Sequence, residues 1–111
     1  MEKRAAGRPL GSDIRDHIVE ILFIRKCGYA YELAKIHNDI YRKVTPRTIY
    51  YHLTRGLLTE EFVIQEIREE IGEFSWGKSV EKIYYALGPS AKPQGDVQVK
   101  EYMDKNGLLA Q

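Results

Sequence analysis

Three amphipathic helical segments, a Thr45-Pro46 signal that starts the third, and two β-rich segments around a glycine-bounded loop together predict an α+β fold. Helix, helix, helix, strand, loop, strand is the order of a winged helix-turn-helix, in which a β-hairpin wing follows the third helix. A short C-terminal helix completes the pattern.

Met1 to Gly11 carries Lys3, Arg4 and Arg8 with two glycines and a proline but no apolar periodicity, and reads as a basic arm. Ser12 is an expected N-cap, with Asp13 and Asp16 in the first turn and Arg25-Lys26 in the last. Ile14, Ile18, Ile21 and Leu22 give that helix its apolar stripe, and Gly28 is its expected stop. Tyr29 or Ala30 to Tyr41 follows as the second helix, apolar at Leu33, Ile36 and Ile40 and charged at Glu32, Lys35 and Asp39. After Arg42-Lys43-Val44, Thr45 caps a third helix that has proline in its first position and runs to about Leu58, with Gly56 expected to loosen its last turn. Phe62 to Ile71 reads as a strand with Val63, Ile67 and Ile71 on one parity, Gly72 to Lys78 as a hairpin loop, and Val80 to Leu87 as the return strand. Gly88-Pro89 ends it, Pro93-Gln94-Gly95 reads as a linker, and Val97 to Lys105 as a last short helix. The expected organisation is an arm over 1–11, a winged-helix domain over 12–89, and a linker with a short helix or tail over 90–111.

At 111 residues, 43% hydrophobic and 30% charged, the chain has the size and apolar content of one folded domain. The longest apolar run, Ile18 to Ile24, is broken by Glu20 and falls far short of the roughly 20 residues of a membrane span. A lone Cys27 and scattered His17, His37 and His52 predict a cytoplasmic protein without disulfide, metal or other cofactor. Net charge is only +1, but residues 1–55 hold 11 Lys and Arg against 6 Asp and Glu, while residues 56–111 hold 6 against 10. A phosphate-binding surface is therefore expected in the first half.

A turn of about 100° per residue sorts the third helix into two faces. Ile49, Tyr50, Leu53 and Leu57 fall together as the expected core side. Arg47, Thr48, Tyr51, His52, Thr54, Arg55 and Leu58 cover the other, which is rich in donors and contains no acid. Such a face suits base edges and phosphates. Lys43, Arg42 and Thr45, just before it, extend the candidate DNA-binding set.

With these residues in view, Gly28 to Leu87 resembles the PadR-like winged-helix transcriptional regulators. The likeness rests on Gly28-Tyr29-Ala30-Tyr31-Glu32-Leu33, on Thr48-Ile49-Tyr50-Tyr51-His52-Leu53, on Gly56-Leu57-Leu58 and on Lys82-Ile83-Tyr84-Tyr85-Ala86-Leu87. The resemblance implies a repressor-like DNA binder, often dimeric. A homodimer is expected, with the first helix and residues 97–109 as candidate surfaces. The wing departs from a basic one, carrying Glu66, Glu69, Glu70 and Glu73 against Arg68 and Lys78.

Gly7-Arg8-Pro9 is similar to the core of an AT-hook, so Lys3, Arg4 and Arg8 are candidates for the minor groove. Gly72 to Ser79 spells the phosphate-loop pattern G-x-x-x-x-G-K-S, yet the half-charged segment before it is unlike the buried strand such a loop follows, so no enzyme is expected. Phe74, Trp76 and Lys78 form the expected wing tip, where aromatics could stack on bases or dock on protein. The predicted function is sequence-specific recognition of double-stranded DNA by the third helix. An RNA- or ribosome-associated winged helix and a protein-interaction module are the alternatives.

Overall fold

The computed structural model of the chain describes residues 13–74 and 77–107, with side chains given outside 72–80. The basic arm with Lys3, Arg4 and Arg8, the Ser12 cap and Trp76 lie outside the described residues, and Phe74 and Lys78 are described in backbone only.

The elements are α1 (Asp13–Arg25), β1 (Cys27–Tyr29), α2 (Ala30–Ile40), α3 (Pro46–Thr59), β2 (Phe62–Phe74), β3 (Gly77–Leu87) and α4 (Val97–Lys105). The strands form one antiparallel sheet in the order β1-β3-β2, so the fold is a winged helix with a third strand behind the hairpin. α1 runs through the centre. Its Ile14, Ile18, Ile21 and Leu22 are buried with Leu33 and Ile36 of α2, Ile49 and Leu53 of α3, Phe62 and Tyr85 of the sheet, and Val99 and Met103 of α4. Each such side chain contributes about 1.5–3 kcal/mol by leaving water. Much of α1 is enclosed by these elements, with Asp13 and Phe23 left exposed along it.

β1 is absent from the expected elements. α1 ends at Arg25, Lys26 turns with φ 81°, and Cys27, Gly28 and Tyr29 pair with Ala86, Tyr85 and Tyr84. Three residues are too few to show a period of two, and only pairing with β3 makes them a strand. The hairpin is also longer than expected. The strands extend to Phe74 opposite Gly77, past a register irregularity after Ile71, so they take in most of the expected Gly72 to Lys78 loop, and the phosphate-loop spelling leads from strand to strand with no helix following.

A bulge at Gln65 resets the wing's faces. Ile64 lies opposite Tyr85 and Glu66 opposite Tyr84, so the extra residue flips the parity between them. Ile64, and not Val63, therefore joins Ile67 and Ile71 on the face of Tyr85, Ile83 and Glu81.

The C-terminal segment belongs to the same core. Glu20, buried on α1, accepts backbone N–H bonds from Gln94 (2.6 Å), Gly95 (2.8 Å) and Asp96 (3.0 Å). The expected linker is thus tied to α1 directly ahead of Asp96, which caps α4 by accepting from the Gln98 N–H at 2.8 Å. Three N–H donors on one buried carboxylate satisfy groups that would otherwise be costly to bury.

Candidate nucleic-acid interface

The turn between α2 and α3 is fixed by Asn38. Its amide donates to the Val44 carbonyl and its oxygen accepts from the Val44 N–H, both at 3.0 Å. Val44 in turn packs on the core, so the connector and the start of α3 are held at both ends. Thr45 then caps α3, its hydroxyl accepting from the Thr48 N–H at 3.3 Å, and Pro46 occupies the first helical position. The far end of α3 is held by Gly56. A Cβ there would lie 2.1 Å from the Phe62 ring, so the helix passes directly over the first residue of the wing. Gly56 does not loosen the last turn: the helix continues to Thr59, and Glu60 closes it in the left-handed conformation at φ 67°.

Arg47, Tyr51, Thr54, Arg55 and Leu58 are exposed along the outward side of α3, with Thr48 half-buried at its margin. Among the described residues Arg47, Arg55 and Lys43 have no ion-pair partner. Arg42 differs. It binds Asp13 at 2.9 Å, tying the turn to the start of α1 and holding the Asp13 carboxyl below its ordinary range.

Two aromatic positions exchange their expected roles. His52, expected to face outward, is 6% exposed, and Tyr50, expected in the core, is 56% exposed. At about 140° from Arg47, His52 lies nearer Ile49 than Arg47, so the outward face is narrower on that side than expected. Tyr50 sits at the opposite margin, beside Tyr31 and Ala34 of α2. With Pro46 they line a mainly apolar groove of about 340 Å³ between the two helices. Tyr31, at 73% exposed, joins this surface without having been singled out as a site residue. Its signal was an aromatic ring in the first turn of α2, on a side of the helix that the apolar stripe does not cover.

The wing contributes a different chemistry. On one face Arg68 bonds Glu66 at 3.0 Å and lies over the Tyr84 ring, while Lys82 bonds Glu70 at 2.9 Å and lies over the Tyr29 ring. On the other face Glu69 stands directly opposite Glu81, between Ile67 and Ile71. Among the described residues of the hairpin, each cation is matched by a carboxylate, leaving no surplus of positive charge for phosphates.

No family model and no curated protein matches the chain. Among the described residues, no helix is long and apolar enough to cross a membrane. Among solved structures, the chain is similar to a PadR family transcription regulator from Clostridium difficile R20291, at 22% identity and a TM-score of 0.49 over 85% of this chain and 82% of that one. It is also similar to a transcriptional regulator from Clostridium thermocellum, at 22% identity and a TM-score of 0.43 over 90% of each chain.

Proposed function

We propose that the chain is a DNA-binding transcription regulator of the PadR-like kind that inserts α3 into the major groove of double-stranded DNA. The observation that carries this reading is the outward side of α3: Arg47, Tyr51, Thr54 and Arg55 are exposed on one helical surface that contains no acidic residue. Arginine can bond guanine in bidentate fashion, and threonine and tyrosine can bond bases or phosphates. Lys43 and Arg42 at the turn flank this surface as phosphate contacts, and the basic arm with Lys3, Arg4 and Arg8 extends it toward the minor groove. His52 is left out of the reading surface because of its burial, and Thr45 serves chiefly as the helix cap.

One helix makes few phosphate contacts, so useful affinity calls for a homodimer reading two half-sites. The exposed side of α4, which includes Lys100 and Glu101, is the surface we assign to pairing, since much of α1 is enclosed.

The test is fluorescence anisotropy of duplex DNA and a matched structured RNA at two salt concentrations, with Arg47→Ala/Arg55→Ala beside wild type. DNA binding that weakens with salt and is lost in the double variant supports the proposal. Preferential RNA binding replaces it with the second reading, which the exposed rings of Tyr31, Tyr50 and Tyr51 favour as stacking platforms for unpaired bases.

A further inference from the structure

The two faces of the wing are built differently. Glu66, Arg68, Glu70 and Lys82 pair with one another on one face. The opposite face exposes Ile64 (45%), Ile67 (57%) and Ile71 (78%) to water, and sets two like charges, Glu69 and Glu81, directly across from each other. Like charges in that position destabilise a sheet. Among the described residues neither glutamate has an ion-pair partner.

At the base of this face a notch of about 230 Å³ opens between the start of α2, α3 and β3. Tyr29, Tyr31, Tyr50 and Tyr85 line it with Glu81, Lys82 and Ile83. Tyrosine rings and a carboxylate attract cations, and most strongly where water is partly excluded. The Lys82 ammonium already lies 4.4 Å from the Tyr29 ring centre, while its charge is met by Glu70.

We propose that the isoleucine face and the tyrosine notch together dock a basic segment of a protein partner. An Arg or Lys side chain sits in the notch beside Glu81, a second cation meets Glu69, and aliphatic neighbours lie along Ile83, Ile67 and Ile71. The carboxylates decide the occupant. They repel a nucleic-acid backbone. A second copy laid on the same face about a two-fold axis would bring its own Glu69 and Glu81 against them. The proposal is independent of DNA binding by α3, since it uses none of the arginines on that helix.

The probe is a fluorescent peptide of alternating leucine and arginine, titrated against the full chain at physiological salt. Control peptides replace leucine by serine or arginine by glutamate. The leucine–arginine peptide is expected to bind, and both Glu69→Gln/Glu81→Gln and Ile67→Ser/Ile71→Ser to weaken it about tenfold or more. Arg47→Ala/Arg55→Ala should leave it unchanged. All these positions are exposed, and thermal melts of each variant check that the fold is intact. Equal binding to wild type and to Glu69→Gln/Glu81→Gln overturns the proposal, as does equal binding of the serine–arginine peptide. Displacement of the peptide by single-stranded thymidine oligonucleotide also overturns it, assigning the notch to unpaired bases. Loss of DNA binding alone in Arg47→Ala/Arg55→Ala, with the peptide still bound, separates this surface from the one on α3.

Discussion

The outward side of α3 and the isoleucine face of the wing rise from the same core, meet at Tyr50 and Tyr85, and present opposite chemistry. α3 shows arginines, hydroxyls and no acid between Pro46 and Thr59. The wing shows isoleucines and two facing glutamates. The net charge of +1, taken over the whole chain, describes neither surface. Adjacent elements of a small domain can thus be assigned to different partners, provided that packing keeps their surfaces from collapsing onto each other.

The contrast is tested most severely by removing the cations of one surface. Arg47→Ala/Arg55→Ala is expected to lower DNA affinity by roughly 3 kcal/mol, more than a hundredfold, whereas Lys43→Ala, at a proposed phosphate contact, should flatten the salt dependence by about one counterion. Anisotropy at several salt concentrations measures both quantities. An affinity unchanged in the double variant would mean that α3 is not the reading surface.

The junction between the surfaces is next. Gly56→Ala places a methyl group 2.1 Å from the ring of Phe62, which is 1% exposed and cannot swing away. The helix must lift or the hairpin must move, at a cost of about 2 kcal/mol after alanine's better helix propensity is counted. Thermal or urea unfolding reads this loss. If the variant is as stable as wild type, α3 and the wing are not rigidly joined and their surfaces need not act separately.

These two regions also mark what a sequence discloses. α3 was legible because its signals are local: a Thr-Pro start, apolar positions at helical spacing, and a face whose chemistry follows from counting residues. Even there, His52 and Tyr50 were exchanged, since both lie at the margins where neighbouring elements decide burial. The wing's existence was legible and its faces were not. One bulged residue at Gln65 reversed the parity, and no rule of alternation locates a bulge. β1 and the docking of α4 were beyond reach for another reason. Cys27 finds Ala86 and Glu20 finds Gln94, Gly95 and Asp96 only in the folded chain, contacts that no local window contains.

Acidification perturbs the body without touching either surface. His37 is buried, and its Nδ1 donates to Asn38 Oδ1, the oxygen that also accepts from the Val44 N–H. Its Nε2 is therefore left to accept from His17 Nδ1 at 3.1 Å, and His17 stacks on Tyr41 with ring centres 3.6 Å apart. Burial holds both imidazoles below their ordinary value; His37 and Arg42 add to this at His17, while Asp13 and Asp96 oppose it. A depressed pKa means that folding favours the neutral ring. The stability is present above about pH 6.5 and is lost as pH falls through the lowered folded-state values. The melting temperature should fall between about pH 7.5 and about pH 5, and His17→Gln should reduce that slope. A melting temperature that does not change over this range would remove the histidine pair from the account of the core.

The smallest effect separates two roles assigned to a single residue. Thr45 was expected both to cap α3 and to contact DNA, and its hydroxyl already accepts from the Thr48 N–H and lies 3.1 Å from the Thr48 hydroxyl. Thr45→Ala leaves that first-turn N–H without its acceptor, and is expected to cost about 1 kcal/mol of stability. Thr45→Asn supplies a comparable cap with a different side chain. If capping is the whole role, urea unfolding restores Thr45→Asn to near wild type and its DNA affinity recovers in parallel. If stability recovers while DNA affinity does not, the threonine itself meets the nucleic acid. The reading surface of α3 would then begin one residue before the helix, on the side farthest from the wing.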